Sequence, residues 1–315
     1  MQSEEIFRTI KPGVLTTFQD MGRTGYQRFG VPVSGAMDPF SMQVGNILVG
    51  NPRNTVSLEV TLIGPKLEVC APTLLTIAIT GADLEPRIND RSVAMWKSIT
   101  LKKGDQLSFG KHQSGVRAYI AVAGGFDAPV IFGSSSTDGN TGFGSSLEDV
   151  KKIKGFSHEA QQGIGLVPKD IPTYEKSIKV AIIEGPHTDC FTKEGREKFF
   201  RCIHQVEANS NRMGYRLKSE EIKLNKDIAI WSDAIPFGGI QVPPNGQAII
   251  LMADRQTTGG YPRIGTVLSS DMPKIAQLVP QGEIQFYPVT VEEAQARAIK
   301  MEEFLYKLEL FYKGI

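Results

Sequence analysis

The sequence predicts a mainly β protein with two related domains, and three observations support this prediction. Its 315 residues include 32 glycines and 18 prolines, which separate short apolar runs as turns separate strands. Several of these runs are too uniformly apolar to leave one face in water, which favours closed or stacked sheets. The pattern G-Y-x-R-x-G occurs at residues 25–30 and again at residues 260–265. This repeat suggests that each domain contributes a tyrosine and an arginine on a glycine turn.

The predicted elements are two helices and six strands. The first helix begins after Asp38, has Pro39 in its first turn and ends at Gly50. For Asp38, a capping role is favoured over a general-base role. The second helix begins at the capping box of residues 290–293 and carries an apolar stripe as far as Tyr312. The strands are predicted at residues 74–80, 116–122, 178–183, 228–231, 248–253 and 284–289.

The chain is long enough for two domains, each with its own core. We predict a first β domain at residues 1–145 and a second at residues 177–289, followed by a C-terminal helix at residues 290–315. The intervening residues 146–176 are predicted to be a linker, because they are polar, rich in lysine and interrupted by prolines. The N-terminal strand could belong to either domain.

Charge and cysteine content limit the partners and the compartment. The 35 basic and 34 acidic side chains nearly cancel and form no basic block, which argues against nucleic acid and anionic membranes as partners. Three widely spaced cysteines fit a reducing compartment better than a disulfide framework. No apolar run is long enough to span a membrane, so we expect a soluble, cytoplasmic protein.

The strongest candidate site is the polar passage at residues 254–263, directly after the predicted strand 248–253. Arginine forks bind carboxylates and phosphates, and glutamine and threonine side chains can orient an amide. The alternative is that Asp–Arg pairs in this passage only stabilise the fold. By chemistry, the catalytic candidates are Arg255, Arg263, Gln256 and Asp254, with Thr257 and Tyr261 as substrate-binding candidates.

Two other passages repeat this chemistry. Asp20, Tyr26 and Arg28 surround the first copy of the repeat, and Asn211 and Arg212 precede a partial copy at residues 214–216. We expect the two full copies to line one cleft between the domains, since ligands favour such junctions.

Other familiar chemistries have no support in the sequence. The four histidines lack metal-ligand spacing, and neither a phosphate-binding loop nor a serine nucleophile elbow is present. No metal is therefore predicted, and arginine, aspartate, glutamine and tyrosine are left to carry the function.

Seven passages together resemble the second-subunit family of allophanate hydrolase. They lie at residues 13–20, 35–38, 58–62, 121–125, 211–217, 240–244 and 253–264, in the family's order. This family includes the C subunit of the bacterial ATP-dependent 5-oxoprolinase, the KipA protein and the carboxyltransferase region of urea carboxylase. Its sequence pattern usually has an arginine where this chain has Ser135, and an aspartate where it has Asn245.

The resemblance implies two cyclophilin-like β-barrel subdomains, a few short helices and a C-terminal helix. It also implies a first-subunit partner, similar to KipI and to the B subunit of oxoprolinase, and an A subunit of the lactam-utilisation type. The implied reaction is ATP-driven opening of 5-oxo-L-proline to L-glutamate, with ATP bound at or by a partner protein. Two alternatives remain open: a carboxyltransferase component that uses a separate biotinyl carrier, and a KipA-like regulator that binds a KipI-like kinase inhibitor.

Overall fold

The structure is a computed structural model that describes residues 2–156, 158, 160–225 and 230–314. The chain forms two compact units. The first comprises Met1–Arg23, Ser34–Tyr174 and Phe304–Ile315, and the second comprises Thr24–Val33 and Glu175–Glu303. Of the predicted strand 228–231, residues 228 and 229 lie outside the described residues.

In its described residues, the first unit contains eleven strands and one complete helix, α1 (Pro39–Leu48). The strands are β1 (Glu4–Lys11), β2 (Leu15–Gln19), β3 (Ser57–Thr61), β4 (Lys66–Val69), β5 (Leu75–Asp83), β6 (Pro86–Ile88), β7 (Arg91–Ser92), β8 (Ser98–Leu101), β9 (Gln106–Phe109), β10 (Ser114–Val122) and β11 (Lys152–Gly155). They form two antiparallel sheets, with strand orders β11–β1–β4–β9–β6–β7 and β2–β3–β10–β5–β8.

The uniformly apolar sequence of β5 and β10 has a direct structural cause. In β5, Ile77 and Ile79 belong to the core cluster that also includes Leu67 of the other sheet. The alternate residue Ala78 belongs instead to a cluster with Val44 and Ile47 of α1. Both faces of this strand are therefore buried, and no polar alternation develops.

The described part of the second unit contains the remaining strands and two short helices, α2 (Lys193–Arg201) and α3 (Met272–Ala276). The strands are β12 (Ser177–Glu184), β13 (His204–Val206), β14 (Gly214–Lys218), β15 (Asp233–Ala234), β16 (Gly239–Gln241), β17 (Ile249–Leu251), β18 (Thr258–Gly259), β19 (Arg263–Val267) and β20 (Glu283–Pro288). Seven of them form a closed barrel in the order β12–β19–β16–β17–β14–β13–β20, and β15 pairs with β18. Parallel pairing of β12 with β20, from Ser177↔Glu283 to Ile182↔Pro288, closes the barrel.

The predicted fold class is confirmed, since the protein is mainly β and contains a closed seven-stranded barrel. Both predicted helices are present. Asp38 caps α1 by accepting a hydrogen bond from the Ser41 backbone N–H at 3.0 Å. The second is α4 (Val291–Lys313), where the Thr290 hydroxyl accepts from the Glu293 N–H at 3.2 Å. In the described part of the first unit, the strands form two sheets rather than a closed barrel.

The units of the structure differ from the predicted domain boundaries at the linker and at the C-terminal helix, and the N-terminal strand, left open by the sequence, is assigned to one unit. Residues 146–174 of the predicted linker belong to the first unit, because β11 pairs with β1 and buries Ile153 between two exposed lysines. Strand β1 also pairs with β4, so the N-terminal strand lies in the first unit. The C-terminal helix is divided at Phe304, from which point the chain belongs to the first unit. None of the helices in the described residues is both long and apolar enough to cross a membrane.

The core of the second unit contains a buried histidine. His204 is fully buried, with its ring 5.1 Å from the rings of both Phe199 and Phe286. Its Nε2 donates to the Phe199 carbonyl at 2.8 Å, and its buried Nδ1 has no hydrogen-bond partner among the described residues. Burial lowers the pKa of His204, because a second proton on Nδ1 would place an unpartnered charge in the core.

This histidine makes the stability of the second unit depend on pH. The unfolded imidazole titrates near ~6.5. Because the pKa of His204 is lower in the native state, the unfolded state binds more protons below the pKa of the unfolded imidazole. The native state is therefore stabilised fully at higher pH, and this stabilisation is lost as pH falls from the unfolded pKa towards the native pKa. We expect this loss to reach about 1.4 kcal/mol per pH unit. Urea unfolding of wild type and His204→Phe between pH 7.5 and 5.0 measures it. In His204→Phe, the free energy of unfolding should depend less steeply on pH, whereas the control His158→Gln should keep the wild-type dependence. An equal pH dependence in wild type and His204→Phe would contradict the assignment.

Candidate functional site

The passage at residues 254–263, which we call the arginine segment, lies in the second unit. It follows β17, runs through a turn into β18 and ends at the start of β19. Strand β18 pairs with β15 through Asp233↔Gly259 and Ala234↔Thr258. The arginine segment is thus held beside β15 and the next residue, Ile235, whose N–H donates to the Thr257 carbonyl at 3.1 Å.

The one carboxylate of the arginine segment is already engaged. Asp254 accepts from Nε of Arg212 at 2.7 Å and from Nη2 of the same guanidinium at 2.9 Å. Both residues are buried, and the Asp254 backbone N–H also donates to the Arg212 carbonyl at 2.8 Å. The two candidates therefore form a buried bidentate ion pair that fixes the end of β17 to the turn before β14. These contacts favour a stabilising role for Asp254 and Arg212.

Arg255 is buried without a carboxylate partner among the described residues. Arg255 is only 7% exposed, and the guanidinium carbon lies 5.6 Å from the centre of the Phe237 ring. Nε donates to the Ile235 carbonyl at 3.0 Å and Nη1 donates to the Met252 carbonyl at 3.3 Å. Burial lowers the pKa of Arg255 to about 10, with the nearby Asp254 charge opposing that shift, so the group remains cationic at neutral pH.

Arg263 also has no carboxylate partner in the described part of the chain. Its Nη1 donates to the Ala234 carbonyl at 3.1 Å, while its Nε is buried and has no hydrogen-bond partner there. The two arginines thus donate to the carbonyls of consecutive residues, Ala234 and Ile235. An uncompensated guanidinium with a free donor is suited to a carboxylate or phosphate ligand.

His187 is a candidate that sequence reasoning missed. Its Nδ1 accepts a hydrogen bond from the Arg263 backbone N–H at 3.1 Å. In the neutral imidazole, the proton is therefore on Nε2, which is a donor beside the arginine. Gly185, two residues earlier, packs so closely on the Arg263 carbonyl that a Cβ there would approach it to 2.1 Å. The sequence feature that could have indicated His187 is its position in the Gly-Pro-His passage at residues 185–187, just beyond the predicted strand 178–183.

The remaining residues of the arginine segment are more accessible. Gln256 is exposed, and Tyr261 is 47% exposed. Thr257 is partly buried, and its carbonyl accepts from the Ile235 N–H at 3.1 Å. Gln256 and Tyr261 are thus available to a ligand that reaches Arg263.

The two copies of the repeat differ in position and in backbone structure. Both copies fall in the second unit, since Thr24–Val33 belongs to it. The first copy forms a 3₁₀ turn at Gln27–Phe29, whereas Arg263 of the second copy begins a strand. The interpretation that each domain contributes one equivalent turn is therefore wrong. In the first copy, Arg28 is exposed over the Phe29 ring at 4.7 Å, and Tyr26 is partly exposed.

Asn211 and Asp20 serve their own turns. The Asn211 carboxamide accepts from the Met213 N–H at 2.9 Å, as in an Asx turn. Asp20 lies in the first unit, where its carboxylate accepts from the Ser134 hydroxyl at 2.6 Å and from the Ser135 N–H at 2.7 Å. Ser135 is itself buried and donates to the Ala128 carbonyl at 3.3 Å. The replacement of the arginine expected at this position leaves a loop tied together by its own hydrogen bonds.

The described residues contain no group of three or more His, Cys, Asp or Glu side chains arranged to hold a metal ion. The candidate site consists of the buried Arg255 and the partly buried Arg263, with His187 bonded to the Arg263 backbone and Gln256 and Tyr261 in the same segment.

Comparisons with known proteins match this chain over most of its length. The family model for the carboxyltransferase domain, subdomains A and B, matches residues 29–288. The C subunit of the 5-oxoprolinase of Escherichia coli K12 is 38% identical, over 92% of this chain and 93% of that protein. The corresponding C subunit of Haemophilus influenzae is 34% identical over the same shares. The solved urea carboxylase of Kluyveromyces lactis is 30% identical with a TM-score of 0.88, covering 98% of this chain and 29% of that protein.

Proposed function

Because this chain belongs to the carboxyltransferase-domain family, we propose that it is the C subunit of an ATP-dependent 5-oxoprolinase, acting together with partner proteins. The relatives that carry this name match it almost end to end. The observation in the fold that carries the proposal is the pair of arginines without acidic partners. Asp254 neutralises Arg212 instead, which leaves Arg255 and Arg263 as positive charges for a ligand anion.

The proposed reaction has a chemical requirement that these residues meet. A lactam carbonyl is a poor electrophile, and transfer of phosphate to its oxygen converts that oxygen into a leaving group. Such a step needs fixed positive charge and preorganised donors next to the phosphate and the developing oxyanion. In the proposal, the guanidinium of the partly exposed Arg263 contacts the anion, and Arg255 is held rigidly by Ile235 and Met252.

Accessible residues would complete the site. His187 presents Nε2–H beside Arg263, and Gln256 can hydrogen-bond an amide or carboxylate of the substrate. Tyr261 can cover the bound ring, since nearly half of its surface is free. In the proposal, the first-subunit homologue and the lactam-utilisation-type protein supply the remaining groups and the contacts with ATP.

The test is reconstitution of the complex. The chain is coexpressed with its first-subunit homologue and the lactam-utilisation-type protein, and ATP hydrolysis is measured with and without 5-oxo-L-proline. We expect coelution at micromolar concentration, with ATP hydrolysis and glutamate release that depend on the lactam and on all three proteins. Separate elution, or ATP hydrolysis that ignores 5-oxo-L-proline, would reject this function.

The family-model match also supports a second candidate, a carboxyltransferase component that takes carboxyl groups from a separate biotinyl carrier. Streptavidin blots of the purified complex separate the two candidates. A biotinylated protein that coelutes stoichiometrically, together with transfer of carboxylate from carboxybiotin, would favour the carboxyltransferase over the oxoprolinase.

A further inference from the structure

The first unit contains a cavity of about 420 Å³ that plays no part in the function proposed above. It is lined from β5, β6 and the residues after β7, and by Ile171, Pro172 and Tyr174 near the end of that unit's main segment. This volume is within the range of small-molecule sites. Its walls combine apolar surface from Met95 and Trp96 with a small number of polar groups.

Asp83 is the uncompensated charge of this cavity. Its Oδ1 accepts from the Glu85 N–H at 2.8 Å, and its Oδ2 has no hydrogen-bond partner among the described residues. No lysine, arginine or histidine of the described chain forms an ion pair with it. Glu85 differs, because it pairs with Arg87 at 2.5 Å and accepts from the Lys111 N–H at 2.9 Å.

The hydrogen bonds of Ser41 determine whether the Tyr174 hydroxyl acts as donor or acceptor towards a ligand. The Ser41 hydroxyl donates its one proton to Oδ2 of the buried Asp38 at 2.6 Å. Ser41 Oγ can therefore only accept from Tyr174, whose hydroxyl oxygen lies 3.3 Å away. With its own proton committed, the Tyr174 oxygen can offer a ligand only its lone pairs.

The cavity is also held in shape. Trp96 has a backbone φ of 57°, which is a rare conformation for a bulky residue. It is fixed there by hydrogen bonds from its N–H to the Ile79 carbonyl at 2.8 Å and from the Leu166 N–H to its own carbonyl at 3.0 Å. The backbone of this part of the cavity wall is thus fixed before a ligand arrives.

A ligand must therefore supply donors and positive charge. Asp83 Oδ2 and the Tyr174 oxygen are acceptors, and no basic side chain lines the cavity in the described residues. We propose that this cavity binds a small organic ammonium ion, with the ammonium group on Asp83 and Tyr174 and the apolar body against Met95 and Trp96.

The test uses three probes of similar size on the full chain. These are 2-phenylethylammonium, its neutral counterpart 2-phenylethanol, and the anion 3-phenylpropionate, each titrated by calorimetry at pH 7.5. We expect the ammonium ion to bind about tenfold more tightly than the alcohol, and the carboxylate not to bind. Equal affinity for all three, or no binding of the ammonium ion at millimolar concentrations, would overturn the proposal.

Variants locate the binding. Asp83→Asn keeps the shape and removes the charge, so it should weaken ammonium binding by about tenfold or more. Tyr174→Phe removes the second acceptor and provides an independent variant if Asp83→Asn folds poorly. Asp127→Asn, an exposed acid of the same unit, is the control and should bind like wild type. Unchanged affinity in whichever of the two cavity variants folds would show that the ammonium ion binds elsewhere.

Discussion

Replacing Asp254 with alanine will lower the free energy of unfolding of the second unit by about 3–5 kcal/mol. The reason is that Arg212 would then be a buried cation without its counter-ion. Native-state hydrogen exchange of β14 and β17, which this pair joins, measures the effect where it arises.

Two further variants separate charge from packing. Arg212→Met combined with Asp254→Ala should recover at least half of the loss, because no unpaired charge stays buried. Glu197→Gln removes an exposed ion pair with Lys193 in the same unit and should change the free energy by less than about 0.5 kcal/mol. A loss below about 1 kcal/mol for Asp254→Ala would show that the pair is not structural.

Replacing Arg263 with methionine will lower the turnover of the assembled complex about a hundredfold or more, because the lost charge is one that stabilises the transition state. The substitution keeps most of the side-chain length, and within the described residues the native guanidinium makes one hydrogen bond, to the Ala234 carbonyl. We therefore expect the melting temperature to change little. Turnover of ATP and release of glutamate, per folded complex, are the quantities to measure.

Arg255 and Arg216 provide the comparison. Arg255→Met leaves the buried Ile235 carbonyl without its side-chain donor and removes the side-chain hydrogen bond to the Met252 carbonyl, so it should reduce stability as well as rate. Arg216 is exposed on β14, and Arg216→Met should leave both unchanged. If Arg263→Met retains full turnover per folded complex, the arginine segment is structural and the site lies elsewhere.

Five of the six predicted strands coincide with strands of the structure, namely β5, β10, β12, β17 and β20. The sequences of β5 and β10 could be recognised because burial on both faces of a strand gives an uninterrupted apolar run. Strand β11 was missed because its lysines alternate with Ile153 and Gly155, which resembles a solvated segment when its pairing with β1 is unknown. Helix α2 was missed because Gly195 and Phe199 are its only buried residues among those described. One buried apolar side chain in about two turns gives too weak a helical periodicity for a helix to be predicted.

For the candidate site, local composition identified the arginine segment but not the partners of its residues. The partner of Asp254 is 42 residues away in the chain, and the partner of the Arg263 N–H is 76 residues away. Contacts between residues so far apart in the sequence depend on the order of the strands in the barrel, and that order cannot be read from the spacing of residues in a local motif. The repeated G-Y-x-R-x-G pattern gave a wrong prediction of two equivalent turns for the same reason, because identical short sequences can adopt different structures at different places in a fold.

The division of the chain has a consequence for its synthesis on the ribosome. The second unit needs Thr24–Val33 from early in the chain, and the first unit includes residues from Phe304 onward. Leu305 is 1% exposed in the cluster around α1, and a Cβ at Gly50 would meet the Tyr312 ring at 2.7 Å. Domains usually fold in the order in which they emerge. Here, the core packed by Leu305 must wait until the second unit has been translated, so the nascent first unit exposes the apolar surface that Leu305 later covers.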